Sequence, residues 1–519
     1  MGIFGFFSKQ DLSSTQEQSV VESHPSPEPL EGQESLQSTL PIQTISFIFC
    51  EKGELMGKHS QMFANELKVP VSQVRTDLER ILEGMRNDLT CCIEYPYVDE
   101  YYRDTYYSYY SRKHISYNRF CFRVSFFSNR ITEENFFSAD MRDTFYGYMV
   151  LRPTPRRIIG YTFLNPLIYR QHNFSICVCE HGISVMGRLL KTTGFPFCGQ
   201  DGEITSCAET AIVMIFDYFS RRYNKYSRLM PSTVISALAD NLAERLQPSR
   251  GIDIEQVNTI FCSLGMNTRR IVRASENDPA DDYIFFDSER FSELLHIYVE
   301  SGFPLYATTE SHAFLIVGRE DKLFFKKPSL IIMDDNQYPY RRWESHNEDS
   351  ILSFLVPLPE NVLLDADRID PKSVYDAFPQ DYSVVKVMKE DVSYYHRLFL
   401  TTSRSFKKYV VESEISRESK TILTSIAMPR FIWVCETIEE NGMPEDVRLT
   451  NILSTLVLDA TDFPTGDNHL LLIKTRNHIV IPTEDRVGMT EKRYTIVEVQ
   501  ETMHPFNNNL KGVDTLWQG

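Results

Sequence analysis

The sequence predicts a mixed α+β protein that is built from several domains. The chain has 519 residues, about three times the roughly 150 residues of a typical domain. Hydrophobic residues make up 42% of the chain and charged residues 24%, which is ordinary usage for a folded globular protein. Stretches with helical three- and four-residue periodicity alternate with short runs of β-branched and aromatic residues that are typical of strands. These observations predict that most of the chain folds, and that it forms more than one core.

Changes of composition divide the chain into four predicted parts. Residues 1–44 are dominated by Ser, Gln, Glu and Pro, which is typical of a disordered tail. Residues 45–190 combine an amphipathic helix with strand-like segments and predict an N-terminal α+β domain. Residues 191–360 form the third part. Residues 361–519 contain strand-like segments among helical stretches and predict a C-terminal globular domain of α/β or α+β type.

Residues 191–360 change along their length from helices to strands. Predicted helices cover residues 208–219, 253–264 and 288–300, and glycines 265 and 302 follow the last two at the position expected for a C-terminal cap. Predicted strands cover residues 305–308, 312–317 and 330–333. This order predicts a helical lobe followed by an antiparallel sheet lobe.

Charge and hydropathy exclude several classes of protein. The net charge of -17, from 71 acidic and 54 basic residues, disfavours broad binding to nucleic acid, because such binding needs a cationic surface. No stretch reaches the roughly 18–20 apolar residues that a membrane-spanning helix needs, and the start of the chain lacks the features of a signal peptide. The ten cysteines show no disulfide-framework spacing. We therefore expect a cytoplasmic protein without a membrane span.

One alternating group of residues resembles a set of metal ligands. Cys177, Cys179 and His181 would lie on one face of a strand, but a fourth ligand is not evident. A half-buried strand with its small thiols facing inward is the favoured interpretation. The sequence also lacks a phosphate-binding glycine loop, and we expect neither a metal nor an organic cofactor.

A loop rich in Gly and Pro precedes Cys207, which is predicted to lie in the first turn of an amphipathic helix. Unpaired backbone N–H groups and the helix dipole favour a thiolate at that position, which makes Cys207 a candidate nucleophile. Gln200 lies seven residues earlier, and its side-chain amide is a candidate donor to the oxyanion that forms when a carbonyl is attacked.

A nucleophilic thiol needs a base, and the base needs a partner that orients it. His312 begins a predicted strand after a polar loop and is the candidate base. Asp334 follows the strand 330–333 and is the candidate partner of the other ring nitrogen. Asp335 and Asn336 follow directly, and the sequence leaves open which of the three side chains orients the imidazole.

The order of Gln200, Cys207, His312 and Asp334 resembles that of the papain-like cysteine peptidase superfamily, especially the branch that includes bacteriocin-processing peptidases. The resemblance covers about residues 191–345, less than a third of the chain. Two features depart from the family pattern. Gln200 is one residue further from the cysteine than is usual, and Ala208 stands where Gly or Trp often follows the nucleophile.

The resemblance implies a papain-like core and a thiol hydrolase, for which we expect a bacterial source. Cys207 would attack an amide carbonyl, His312 would move the proton, Asp334 would orient the ring and Gln200 would stabilise the oxyanion. The substrate would be a protein or peptide, with linear and isopeptide bonds not distinguished. Two alternatives stay open: an acyltransferase with the same thioester chemistry, and an inactive papain-fold binding module. The oligomeric state does not follow from the sequence.

Overall fold

The structure is a mixed α+β fold, as the sequence predicts. It is a computed structural model that describes residues 45–170, 173–241, 252–275, 284–321, 328–359, 361–376, 392–440, 451–463, 469–483 and 493–516. The predicted disordered tail, residues 1–44, lies outside the described residues. Residues 45–519 form one compact unit. Within the described ranges, no helix combines the length and the apolar character needed to cross a bilayer.

The first sheet has seven antiparallel strands, all within residues 46–198. The first eight strands of the chain are β1 (Ser46–Glu51), β2 (Leu89–Tyr97), β3 (Cys121–Ser128), β4 (Phe145–Leu151), β5 (Ile159–Leu164), β6 (Phe174–Ile176), β7 (Cys179–Val185) and β8 (Arg188–Cys198). All of them except β6 belong to this sheet, in the order β1-β2-β3-β4-β5-β8-β7. β8 pairs with β5 up to Cys198, so this strand continues past the predicted boundary at residue 190.

Four helices accompany this sheet: α1 (Lys52–Met56), α2 (Ser60–Leu67), α3 (Val71–Leu82) and α4 (Glu100–Ser108). α3 buries Val74, Leu78 and Ile81 on one face, as its three- and four-residue spacing predicts. α4 carries four tyrosines, Tyr101, Tyr102, Tyr106 and Tyr107, and Asp99 caps the helix by accepting the N–H of Tyr102 at 2.7 Å.

The second sheet holds the strands that the sequence predicts for the middle of the chain. The helices of this region are α5 (Cys207–Arg222), α6 (Pro231–Asn241), α7 (Ile254–Ser263) and α8 (Ser288–Glu300), and the strands are β9 (Asn267–Arg273), β10 (Phe285–Phe286), β11 (Leu305–Thr308), β12 (Ala313–Glu320), β13 (Leu330–Met333), β14 (Arg341–Trp343) and β15 (Ser353–Leu358). Their order is β10-β9-β15-β11-β12-β13-β14. The pairs are antiparallel except for the short parallel pair of β9 and β10.

Two strands from distant parts of the chain extend this second sheet. β6 pairs with the end of β12, and β22 (Lys511–Gly512) pairs with β6. Gly318 permits the close approach of β6, because a Cβ at this position would lie 2.1 Å from the carbonyl oxygen of Ser175. The second sheet is therefore built from more of the chain than residues 191–360 alone.

The third sheet is an antiparallel meander in chain order. The elements of this region are α9 (Pro371–Asp376), β16 (Tyr394–Thr402), α10 (Ser403–Glu412), α11 (Arg417–Ser425), β17 (Phe431–Glu439), β18 (Ser454–Asp459), β19 (Leu470–Thr475), β20 (His478–Thr483) and β21 (Arg493–Glu498). α10 and α11 bury Phe406, Val410 and Leu423 in a separate apolar cluster with residues of this sheet.

Buried charges connect the second and third sheets. Glu300, at the end of α8, accepts hydrogen bonds from Arg319 of β12 and from Arg397 of β16, the latter at 2.8 Å. Burial alone would raise the pKa of Glu300, but the two guanidinium groups outweigh it and lower this pKa to about 2. Arg397 also donates to Glu436 of β17 at 2.7 Å. Because these charges are paired, their mutual attraction offsets the free energy that they lose by burial away from solvent.

Candidate functional site

Cys207 is the first residue of α5 and therefore lies in the first turn of this helix, as predicted. The preceding loop is fixed by Asp201, whose Oδ1 accepts the backbone N–H groups of residues 203, 204 and 205 at 2.8–2.9 Å. Ser206 then caps the helix, and its own N–H donates to Glu209 at 3.0 Å in a capping box. The chain therefore has a local reason to start a helix at this residue.

Eight of the ten cysteines are buried; the exceptions are Cys207, which is half-buried, and Cys262, which is exposed on α7. A reagent or substrate can therefore reach Cys207. Residues 208–219 of α5 are buried, so the helix that carries this thiol is anchored in the core along most of its length.

His312 and Asp334 meet because the strands that they flank are neighbours. His312 directly precedes β12, and Asp334 directly follows β13. These strands pair antiparallel, with Leu315 opposite Met333, so the start of one lies beside the end of the other. His312 Nε2 lies 2.8 Å from Asp334 Oδ1. Asp334 is buried, and its Oδ1 also accepts the backbone N–H of Asn336 at 2.9 Å.

Cys207 lies close enough to the imidazole of His312 for the two groups to interact electrostatically. Burial alone would lower the pKa of His312, but the hydrogen bond to Asp334 and the interactions with Asp334 and Cys207 raise this pKa to about 10. The imidazolium form is therefore favoured at neutral pH. Because Asp334 holds Nε2, a proton exchanged with the thiol passes through Nδ1.

Gln200 reaches the same site through Asn336. Gln200 Nε2 donates to Asn336 Oδ1 at 2.8 Å. The Asn336 amide nitrogen lies 3.4 Å from His312 Nδ1 and 3.3 Å from His312 Nε2, so it is in line with neither ring nitrogen. The amide nitrogen of a glutamine carries two N–H groups, and the hydrogen bond to Asn336 occupies one of them. The second N–H of Gln200 can still serve another acceptor.

Asp335 has a different environment from Asp334. Its side chain is buried, and Oδ2 accepts a hydrogen bond from Thr210 of α5 at 3.0 Å. Oδ1 has no hydrogen-bond partner among the described residues. Burial raises the pKa of Asp335 to about 7, with the nearby Asp334 charge adding to the effect and His312 opposing it. Of the three consecutive polar residues, Asp334 is the one that bonds the imidazole.

Among the residues that the structure describes, two clusters of side chains have the composition of metal ligands. The first cluster consists of His312, Asp334 and Asp335, and one ligand atom from each of these residues lies within 4.8 Å of the other two. The contact between His312 Nε2 and Asp334 Oδ1 already satisfies one donor and one acceptor of this group, so a metal ion would have to replace that hydrogen bond. The second cluster, around His59, lies in the N-terminal region and is treated below.

The alternating residues Cys177, Cys179 and His181 have a structural role. Both thiols are buried, and His181 Nε2 lies 2.9 Å from the hydroxyl of Tyr148. Burial and the neighbouring charge of Arg221 lower the pKa of His181 to about 3. The ring is therefore a neutral, hydrogen-bonded part of the first sheet's packing.

A large open cavity lies away from these residues, at the opposite end of α5. Its lining includes Phe219 and Arg222 of α5, Tyr223 directly after this helix, and Phe431 of β17. About fifteen residues of helix, or roughly 22 Å, separate this cavity from Cys207. The site around Cys207 therefore has to be judged from its chemistry rather than from the size of the cavities.

Comparison with known proteins gives no independent assignment, since no protein-family model and no curated protein matches the chain.

Proposed function

We propose that the protein is a thiol hydrolase that cleaves a peptide or isopeptide bond. The observation that carries this proposal is the position of His312, which hydrogen-bonds Asp334 at the end of β13 and lies within interaction range of Cys207 at the start of α5. Nucleophile, base and orienting carboxylate come from three separate elements, in the relation that thiol catalysis requires. The order of the residues also supports a papain-like core within residues 191–360.

The chemistry follows from these contacts. Cys207 Sγ bonds to the carbonyl carbon of the scissile amide, and the carbon–nitrogen bond breaks as the leaving amine takes a proton from His312. Water then gives a proton to His312 as its oxygen attacks the thioester, which releases the carboxylic acid and restores the thiolate–imidazolium pair. Asp334 keeps Nε2 occupied throughout, so that Nδ1 stays directed to the reacting atoms.

Two groups are suited to stabilise the oxyanion. The second N–H of Gln200 is one, and the backbone N–H of Cys207 is the other, because the first N–H groups of a helix have no partner within the helix. Asn336 holds Gln200 beside the triad at 2.8 Å. This contact supports the assignment of Gln200 in spite of its longer spacing from the nucleophile.

A half-buried thiol that acts on proteins or peptides needs a reducing environment, which supports a cytoplasmic location. The parts of the chain on either side of residues 191–360 would select the substrate. No metal or organic cofactor takes part in the proposed steps.

The test is a digestion of a peptide library by the full-length protein, read by mass spectrometry with and without an added primary amine. We expect the parent to produce cleaved peptides, Cys207→Ala to produce none, and the matched variant Cys262→Ala to behave as the parent. Products that carry the added amine in place of water would identify an acyltransferase instead. If the folded parent neither cleaves peptides nor forms an adduct with a peptide electrophile at Cys207, the protein is a binding module.

A further inference from the structure

A second group of side chains with metal-binding chemistry lies at the N-terminal edge of the first sheet, outside the proposed active site. Cys50 lies in β1, Glu54 in α1, and His59 directly precedes α2. The chain folds back on itself here, since the backbone N–H of His59 donates to the carbonyl oxygen of Glu54 at 3.1 Å. One ligand atom from each of the three residues lies within 4.8 Å of the other two.

Cys91 supplies a second thiol to the same place. It is directly opposite Cys50 in the register of β1 and β2, and directly opposed residues of a sheet present their side chains on the same face. The two buried thiols lie close enough to interact, although the Cys91 sulfur is not one of the three ligand atoms that lie within 4.8 Å of one another. The position therefore offers two sulfurs, one imidazole and one carboxylate.

The imidazole of His59 is the feature that packing alone does not explain. His59 is 5% exposed, and its Nε2 has no hydrogen-bond partner among the described residues. A buried polar atom without a partner costs free energy, and a bound ligand removes that cost. In the triad, by contrast, Asp334 occupies Nε2 of His312.

We propose that Cys50, Glu54, His59 and Cys91 bind a zinc ion. Zinc prefers four ligands drawn from thiolate, imidazole and carboxylate, and bonds of about 2.0–2.3 Å keep tetrahedral ligand atoms about 3.3–3.8 Å apart. The ligand atoms of Cys50, Glu54 and His59 lie within 4.8 Å of one another, so they have to close by about 1 Å, and Cys91 has to turn its sulfur toward them. One oxygen of Glu54 accepts the N–H of Glu51 at 3.1 Å, which orients the carboxylate and leaves its other oxygen for the metal.

The ion would fix the junction of β1, α1, α2 and β2, and its role would be structural, since four protein ligands leave no open position. Glu54 is half-buried whereas the two cysteines and His59 are buried, so the carboxylate marks the side from which the metal enters. This proposal does not depend on the proposed hydrolase activity.

The test measures metal content and metal spectra of the full-length protein. After exposure to zinc and dialysis, we expect the parent to hold about one zinc per chain, and Cys50→Ala and His59→Gln to bind zinc at least about tenfold more weakly. Cys207→Ala and Cys262→Ala are the matched controls and should bind zinc as the parent does. Replacing zinc by Co²⁺ in the parent should give the visible bands of tetrahedral cobalt and a thiolate charge-transfer band, a readout that needs no variant to fold.

Three results would overturn the proposal. One is a folded parent that takes up no zinc. The second is zinc binding that is unchanged in folded Cys50→Ala and His59→Gln. The third is zinc binding that is lost in Asp334→Asn but kept in Cys50→Ala, because the metal would then belong to the cluster of His312, Asp334 and Asp335.

Discussion

Asp334→Asn should lower the pKa of His312 sharply. Asp334 Oδ1 is 2.8 Å from His312 Nε2. Burial lowers the pKa of His312, and the hydrogen bond to Asp334 is the largest of the effects that nevertheless raise it to about 10. The substitution keeps the volume of the side chain but removes its charge and its ability to accept on both oxygens. Burial is unchanged and the interaction with Cys207 remains, so we expect the pKa to fall toward its ordinary value of about 6.5.

The size of the effect follows from the two pKa values. At pH 7.5 a group with a pKa of about 10 is more than about 99% protonated, whereas a group with a pKa of about 6.5 is about 9% protonated. The imidazolium population should therefore fall about tenfold, and with it the rate at which Cys207 reacts with an alkylating reagent at that pH.

NMR titration of the histidine ring carbons measures the pKa of His312 directly. The His312 signal is assigned as the one that is absent in His312→Gln. Asp335→Asn is the matched control, since this neighbouring carboxyl bonds Thr210 rather than the imidazole. The His312 signal should titrate far lower in Asp334→Asn than in the control. A His312 pKa that stays near 10 in Asp334→Asn would refute the assignment of Asp334 as the orienting carboxylate.

Two further predictions concern buried polar groups near the site. Tyr340→Phe should lower the free energy of unfolding, measured by urea denaturation, by about 1–3 kcal/mol. The hydroxyl of Tyr340 accepts the N–H of Phe195 at 2.7 Å and donates to the carbonyl of Leu164 at 2.6 Å, and the substitution removes both hydrogen bonds. An unchanged stability would show that other groups satisfy this N–H and this carbonyl. Asp335→Asn should gain stability relative to the parent as the pH rises from about 4 to about 7. The carboxyl of Asp335 ionises at about pH 7 in the folded protein but near 3.8 in the unfolded chain, so the parent loses stability over that interval. Above that pH the difference should be constant, and a difference that does not change from about pH 4 to pH 8 would contradict the environment described for Asp335.

The local structure of the middle region was predictable from the sequence because local signals agree there. α8 and the strands β11 and β13 have the predicted bounds. The glycines that were expected to end α7 and α8 have positive φ angles, 80° for Gly265 and 75° for Gly302, which glycine adopts without steric cost. α5 starts at Cys207, one residue before the predicted start, because the capping box of Ser206 and Glu209 adds a first turn.

The composition of the second sheet was not predictable in the same way. β6 and β22 join it from residues 174–176 and 511–512, and nothing in their short sequences specifies a partner so distant along the chain. Pairing of this kind is decided by the tertiary fold rather than by local propensity. The predicted boundaries between the domains stay predictions.

The choice among Asp334, Asp335 and Asn336 also depended on the structure. Consecutive polar residues in a turn have the same signature in the sequence, while the backbone of the turn decides which side chain faces the ring. Asp334 bonds the imidazole, Asp335 points to Thr210, and Asn336 links the imidazole to Gln200. The linking position of Asn336 has no separate signal in the sequence.

The most direct test of the claim that His312 activates Cys207 is the pH dependence of iodoacetamide alkylation. It is measured for each cysteine by peptide mass spectrometry, in the parent and in His312→Ala. Cys262 is exposed and serves as the internal reference. If His312 activates the thiol, Cys207 should be labelled rapidly well below the ordinary free-thiol pKa of about 8.5. The labelling rate of Cys207 should fall in His312→Ala, while that of Cys262 stays unchanged. Labelling of Cys207 that follows the pH profile of Cys262, and that His312→Ala leaves unaltered, would contradict the account.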